Sequence, residues 1–221
     1  MVFDLHYFFS VFPGLILKVP YTIYLGTVAF MLAMVLGGAL TACKRSRLWL
    51  VRKMAGVYIS FFRSTPYITQ LFLFYYGLPQ VIVAMRDISS EAALIITIAM
   101  NSAAFLSENI RGALLSVDKG QIEAAASIGM SRWQTAKNIV LPQAFVTAIP
   151  TLGNGYVSMI KSTAMGFTIG VVELLSRAKL GSTLSYCYLE SYVAVGFVYW
   201  GIVLVIDYLQ GKLEKRASRF I

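Results

Sequence analysis

Four side chains that could bind or relay charge stand inside otherwise apolar stretches of this 221-residue chain: Arg63, Asn101, Glu108 and Lys161. Away from water such a group is costly unless it pairs, snorkels to an interface or meets a ligand. They are conspicuous because only 13% of residues are charged and 58% are hydrophobic. Catalysis has little else to draw on. His6 is the only histidine, so no two-His metal centre can form within one chain, and a Ser-His pair would need a base at the amino end. Cys43 and Cys187 fall at opposite ends of their apolar runs, where they cannot bridge each other or build a metal cluster. No G-x-x-x-x-G-K-[ST] occurs; Gly211-Lys212 lacks the upstream glycine and the hydroxyl residue, which excludes a P-loop nucleotide site. These residues could bind a solute or let it pass, with no group placed to transform it.

The elements that must position them are helices in a bilayer. A soluble domain is about half apolar and about a quarter charged, and disorder needs low hydrophobicity, so this composition excludes both. The implied fold is all-α and polytopic. Uncharged or nearly uncharged runs of spanning length place five transmembrane helices at about 19–42, 57–83, 92–114, 144–172 and 192–209. Residues 1–18 read as an outer interfacial segment and 19–221 as the transmembrane domain. Asp4 and His6 stand where a signal peptide would need a basic region, so the first span is expected to be retained.

The net charge of +9 sorts by loop. Lys44, Arg45, Arg47, Arg52 and Lys53 follow the first run. Arg111, Lys119, Arg132 and Lys137 follow the third, and Lys212, Lys215, Arg216 and Arg219 close the chain. The alternate loops hold only Lys18, Arg86, Arg177 and Lys179. Lys and Arg in short loops keep them cytoplasmic, which puts the amino terminus outside and the carboxyl terminus inside. The positive charge is topology, with no patch suited to nucleic acid.

Between the third and fourth runs lies a polar stretch, 118–142, with two helix starts. Asp118 can cap a helix with Gln121 at its third position, and Ser131 with Gln134 repeats the pattern. Gly129 is the residue expected at a left-handed helix end, and Pro142 is expected to stop the second helix. The result is a helical hairpin on the cytoplasmic side. It could simply connect two spans.

The spacing within it is more specific. Glu123-Ala124-Ala125, Gly129, Ile139 and Leu141-Pro142 closely resemble the EAA signature of bacterial ATP-binding-cassette (ABC) importer permeases. Phe62-Arg63-Ser64-Thr65-Pro66 with Gln70-Leu71, Glu108-Asn109-Ile110-Arg111-Gly112, and Lys161-Ser162-Thr163 with Glu173-Leu174 resemble the polar amino-acid subfamily, so the likeness covers roughly residues 20–210. The resemblance implies a permease subunit of the bacterial inner membrane that is not itself an enzyme. It also implies its partners: a second permease copy or paralogue, two ATPase subunits that hold ATP and Mg, an extracytoplasmic substrate-binding protein near the outer loops 77–91 and 173–191, and membrane lipid. In that family the hairpin seats in a groove of the ATPase.

Within this frame the intramembrane residues have two readings each. Arg63 can snorkel or act at a gate, and Pro66 should kink its span and free a carbonyl. Glu108 and Arg111, acid first at i and i+3, suit a local ion pair. Asn101 can be interhelical glue or a substrate contact. Gly153, Gly155 and Gly166 around Lys161 point to a discontinuous helix whose open backbone binds charged ligand groups, or else to close helix packing. The substrate pathway would then comprise Asn101, Asn154, Gly155, Met159, Lys161, Ser162 and Thr163. By the same resemblance, the lack of acidic groups there disfavours arginine or lysine as substrate. An ion-gradient-driven amino-acid transporter is the alternative: it would use Asn101, Glu108 and Lys161 as a relay but leaves the hairpin unexplained.

Overall fold

A stripe of small residues, Gly26, Ala29, Ala33 and Gly37, recurs every third or fourth position along helix α2 (Val19–Lys44) and sets the central packing of the bundle. All four are buried. Between lipid-embedded helices there is little hydrophobic drive, so backbones that approach closely gain by dispersion contact. Helix α6 (Ser90–Leu115) lies along this stripe; a Cβ on Gly37 would stand 3.1 Å from the Cβ of Leu106. Leu25, Leu94, Ile98, Leu106 and Met159 complete the core around it.

The computed structural model describes residues 3–218, and Arg219 of the expected basic tail lies outside them. It is helical throughout, with no strand among the described residues. Helix α1 (Leu5–Ile16) is short, capped by Asp4, and keeps Leu5, Phe9 and Ile16 exposed. After α2, helix α3 (Trp49–Ser64) ends before Pro66. Helix α4 (Tyr67–Phe72), a π turn (Leu73–Gly77), α5 (Leu78–Val81) and a 3-10 turn (Val83–Met85) follow. Beyond α6 come α7 (Lys119–Ser127), α8 (Arg132–Thr135), a π turn (Ala136–Val140), α9 (Leu141–Ser162) and a 3-10 helix (Thr163–Ile169). Helices α10 (Leu174–Ser185) and α11 (Tyr188–Ala217) end the fold.

Side-chain bonds fix the relative directions. Tyr21 donates to Glu91 (2.6 Å) at one end of α2 and α6, and Thr41 donates to the Ser107 carbonyl (3.1 Å) at the other, so the two run parallel. Ile160 lies against Gly26 while Tyr156 bonds Thr27 (2.8 Å) and packs on Phe30, and Gln210 donates to the Pro150 carbonyl (3.3 Å) while Ile160 shares a core cluster with Ala194 and Val195, so α9 runs antiparallel to α2 and α11. The α2–α3 loop, the 118–142 hairpin and the carboxyl end of α11 therefore share one end of the bundle.

Among the described residues three helices are long and apolar enough to cross a bilayer: α2, α6 and α11. Arg132–Ile169 and α10, bent by 47° at their junction, meet the same length and apolarity only when taken together. The expected crossing at 57–83 is divided at Thr65-Pro66 into segments too short to count alone.

Two expectations about the fourth run need correction. Pro142 does not end the second hairpin helix. Its missing N–H falls just after the π turn Ala136–Val140, where the backbone ladder has already shifted, and the chain continues into α9 with Pro142 in the first turn. Nor is α9 unwound around Lys161. Gly153 and Gly155 are helical; the regular helix gives way only at Thr163, and Gly170 (φ 85°) ends the 3-10 segment.

Candidate functional site

Pro66 breaks the helix that carries Arg63, and the break is stabilised from two sides. Proline has no N–H, so the Phe62 carbonyl four residues earlier loses its helical donor. Asn101 Nδ2 on α6 donates to that carbonyl at 3.1 Å, and Gln70 Nε2 on α4 does so at 3.1 Å. Gln70 Nε2 also reaches the Thr65 carbonyl (3.1 Å) and hydroxyl (2.7 Å), while its Oε1 accepts from Asn101 (2.9 Å). Asn101 is thus interhelical glue in this state. Buried Gln70, its partner, was quoted in the sequence only within a motif; its position four residues after a proline is the signal that could have found it.

Beside this clamp, α6 and α9 enclose a cavity of about 410 Å³. From α6 come Asn101, Ser102, Phe105 and Asn109; from α9 come Thr151, Asn154, Gly155, Ser158, Met159 and Ser162. Asn101, Asn154, Gly155, Met159 and Ser162 of the expected pathway are brought together here. Two are not. Lys161 is exposed and off the cavity, and Thr163 is fully buried with its hydroxyl on the Ile160 carbonyl (2.7 Å). Sequence reasoning missed Ser102, Asn109, Thr151 and Ser158. The signal was present: Thr151, Asn154, Ser158 and Ser162 recur at helical spacing on one face.

The glycines encode close approach. A Cβ on Gly155 would stand 3.3 Å from Leu106, one on Gly166 would stand 2.7 Å from Leu94, and one on Gly153 would overlap the Gln210 amide. Arg63 is exposed, with its guanidinium carbon 5.7 Å from the ring centroid of Phe105 at the cavity wall. Glu108 and Arg111 form an ion pair (2.7 Å), the only one among the described residues.

The hairpin is built for shape. Met130 N–H bonds the Ala125 carbonyl (3.0 Å) and Gly129 N–H the Ala126 carbonyl (3.0 Å), the paired bonds of a Schellman end, with Gly129 at φ 80°. Ser131 and Gln134 make the reciprocal capping box. The expected box at Asp118 does not form: Asp118 accepts from Gly120 N–H (2.7 Å), and Gln121 instead accepts from Gln143 across the hairpin. Ala125 is buried, Ile139 half-buried, and Glu123, Ala124, Leu141 and Pro142 are exposed. At the tip Ile128 and Trp133 are 78% and 71% exposed, a large apolar surface on a polar turn.

Glu173 was quoted in the sequence only as part of a motif. It is fully buried at the bend before α10, where it accepts from Tyr199 Oη (2.9 Å) and Ser176 N–H (2.9 Å). Glu173→Ala is expected to cost about 1–3 kcal/mol for each buried donor it orphans. Thermal unfolding of the purified protein, followed by tryptophan fluorescence, should show a lower midpoint, and Glu173→Gln should recover part of the loss.

The model of the family described as "Binding-protein-dependent transport system inner membrane component" matches residues 29–219. The chain is 38% identical over 216 residues to "Probable amino-acid permease protein YxeN" of Bacillus subtilis (strain 168), covering 98% of this chain and 96% of the relative. It is 36% identical over 219 residues to "Probable amino-acid ABC transporter permease protein PatM" of Vibrio harveyi, covering 99% and 98%. A crystal structure described as an amino acid ABC transporter with histidines superposes with a TM-score of 0.90 at 30% identity, covering 98% of this chain and 100% of that one. Permease subunits of this family are multi-pass inner-membrane proteins, not themselves enzymes; the ATPase and the substrate-binding protein are separate partners. With its match running from α2 to the carboxyl end, this chain belongs to the binding-protein-dependent transport system inner membrane components, the permease subunits of ABC importers.

Proposed function

We propose that the chain forms half of a pathway for a neutral polar amino acid, with the cavity between α6 and α9 as the solute-facing surface. The carrying observation is its lining: three side-chain amides and four hydroxyls, with no charged residue. Amides and hydroxyls can meet both the carboxylate and the ammonium of a zwitterion, whereas a cationic side chain would call for an acid. Arg63, held against Phe105, adds positive potential at the rim for a carboxylate. The relatives' names and the solved transporter support an amino-acid solute.

In this reading a second permease copy or paralogue completes the pathway, and two ATPase subunits binding ATP and Mg grip the 118–142 hairpin. An extracytoplasmic binding protein delivers the solute. Residues 1–18 form the outer interfacial segment and 19–221 the permease domain. The amino terminus is outside and the carboxyl terminus cytoplasmic, supported by Lys44, Arg45, Lys119, Arg132, Lys212 and Arg216 at the hairpin end of the bundle. Glu123, Ala124, Ala125, Gly129, Ile139, Leu141 and Pro142 shape the ATPase contact, and Ile128 and Trp133 are its apolar anchors.

Uptake of a panel of labelled amino acids into vesicles holding the assembled complex tests this reading. Uptake should need ATP and the binding protein and should survive collapse of ion gradients. Accumulation driven by an ion gradient through the chain alone would favour the secondary transporter and sink this assignment.

A further inference from the structure

On the face of α9 away from the polar cavity lies a second, larger cavity of about 810 Å³. It is a trough between α2, α9 and α11, walled by Phe30, Met34, Phe145, Ile149, Leu209 and Leu213 among others. Its wall along α9, from Phe145 to Tyr156, is about 17 Å long at ~1.5 Å per residue, close to the ~15 Å of one hydrocarbon leaflet. The end nearest the hairpin holds Gln210, whose Nε2 is used by the Pro150 carbonyl (3.3 Å) and Glu214 (2.8 Å). Its Oε1 is buried without a donor among the described residues.

Just past that end the apolar face of α11 turns basic. Leu209, Leu213 and Arg216 follow one another at helical spacing, as do Val205, Leu209 and Lys212, so both cations fall on the trough's side of the helix. Lys212 rests over the Tyr208 ring (4.4 Å), and neither cation meets a carboxylate among the described residues.

We propose that this trough and its basic collar form a site for one anionic phospholipid from the leaflet on the hairpin side. An acyl chain fills the trough, and the phosphate lies between Lys212 and Arg216. Charge complementarity and leaflet length choose this occupant over a second copy of the chain. The inference stands apart from the choice of transported solute.

The test uses the full-length chain, purified with its accompanying subunits and reconstituted into phosphatidylcholine vesicles containing a minority of phosphatidylglycerol. Mass spectrometry then counts the lipid retained after gentle extraction. The site predicts one phosphatidylglycerol per chain above its bulk share. In Lys212→Gln/Arg216→Gln the phosphatidylglycerol needed for half-occupancy should rise about 25-fold, at roughly 5-fold per charge near the surface. Lys215→Gln, off the trough face, should leave it unchanged. Gly201→Leu fills the trough, since a Cβ there meets nothing within 4 Å, and should displace the lipid while the assembly stays intact. Equal retention of both lipids, or a double variant that matches the parent, overturns the site. Dissociation of the two permease subunits by Gly201→Leu would do so as well, by showing that a second copy occupies the trough.

Discussion

Replacing Glu123 by Arg is expected to abolish solute-stimulated ATP hydrolysis by the assembled importer while leaving the permease folded. Glu123 is exposed on α7, and its side chain makes no hydrogen bond within the described chain. The turn it sits on is determined elsewhere, by Gly129, the Ser131–Gln134 box and buried Ala125. A reversed charge therefore costs the fold little, since exposed substitutions away from caps and cores usually stay within about 0.5 kcal/mol. At a contact the same change is severe. A like charge facing a partner group, beside the anchors Ile128 and Trp133, is expected to weaken ATPase association at least about 30-fold, the ~2 kcal/mol typical of a central contact residue. Co-purification measures the loss. An intact complex with normal transport in Glu123→Arg would remove the hairpin from the coupling path.

The second large effect is expected inside the bundle. Ser158→Leu and Asn154→Leu each replace a polar group of the α6–α9 cavity with an apolar one of at least equal length. Leucine is a good helix former and both positions are exposed to the cavity, so α9 should persist. A hydrogen bond to a charged solute group is worth about 1.5–3 kcal/mol, so each variant should lower transport about 10- to 100-fold. Association with the ATPase should be unchanged. That separation sets the cavity apart from the hairpin: one variant class loses the solute, the other loses the motor. Transport rates near the parent's in both variants would move the solute path elsewhere.

How legible these features are in the sequence depends on what determines each one. The hairpin is read well because its signals are local. A left-handed glycine, a serine cap and a glutamine three residues on act within a turn of each other. The long helices are read from apolar length alone. The course of α9 is not, because Pro142, Pro150, Gly153 and Gly155 are breakers only when nothing else compensates. Here a π turn absorbs Pro142, and Gln210 and Leu106 occupy the space the glycines leave. Both compensations come from other helices or from backbone geometry that no residue type announces. For the same reason the expected Asp118–Gln121 box fails: Gln143 claims the glutamine from across the hairpin. The ion pair Glu108–Arg111 is the opposite case, set by i,i+3 spacing on one helix. The role of Asn101 lies between, since a buried amide announces a partner without naming the Phe62 carbonyl.

The exposed hairpin tip is the proposed meeting point of the permease and its ATPase. Site-specific photo-crosslinking in inverted membrane vesicles tests it most directly, with the crosslinker placed at Ile128 and, for contrast, at Leu184 near the opposite end of the bundle. Both residues are highly exposed, 78% and 82%, so access alone does not separate them. Ile128 is expected to capture the ATPase subunit, and Leu184 is not. Capture through Leu184, with none through Ile128, would contradict both the docking surface and the orientation of the chain in the membrane.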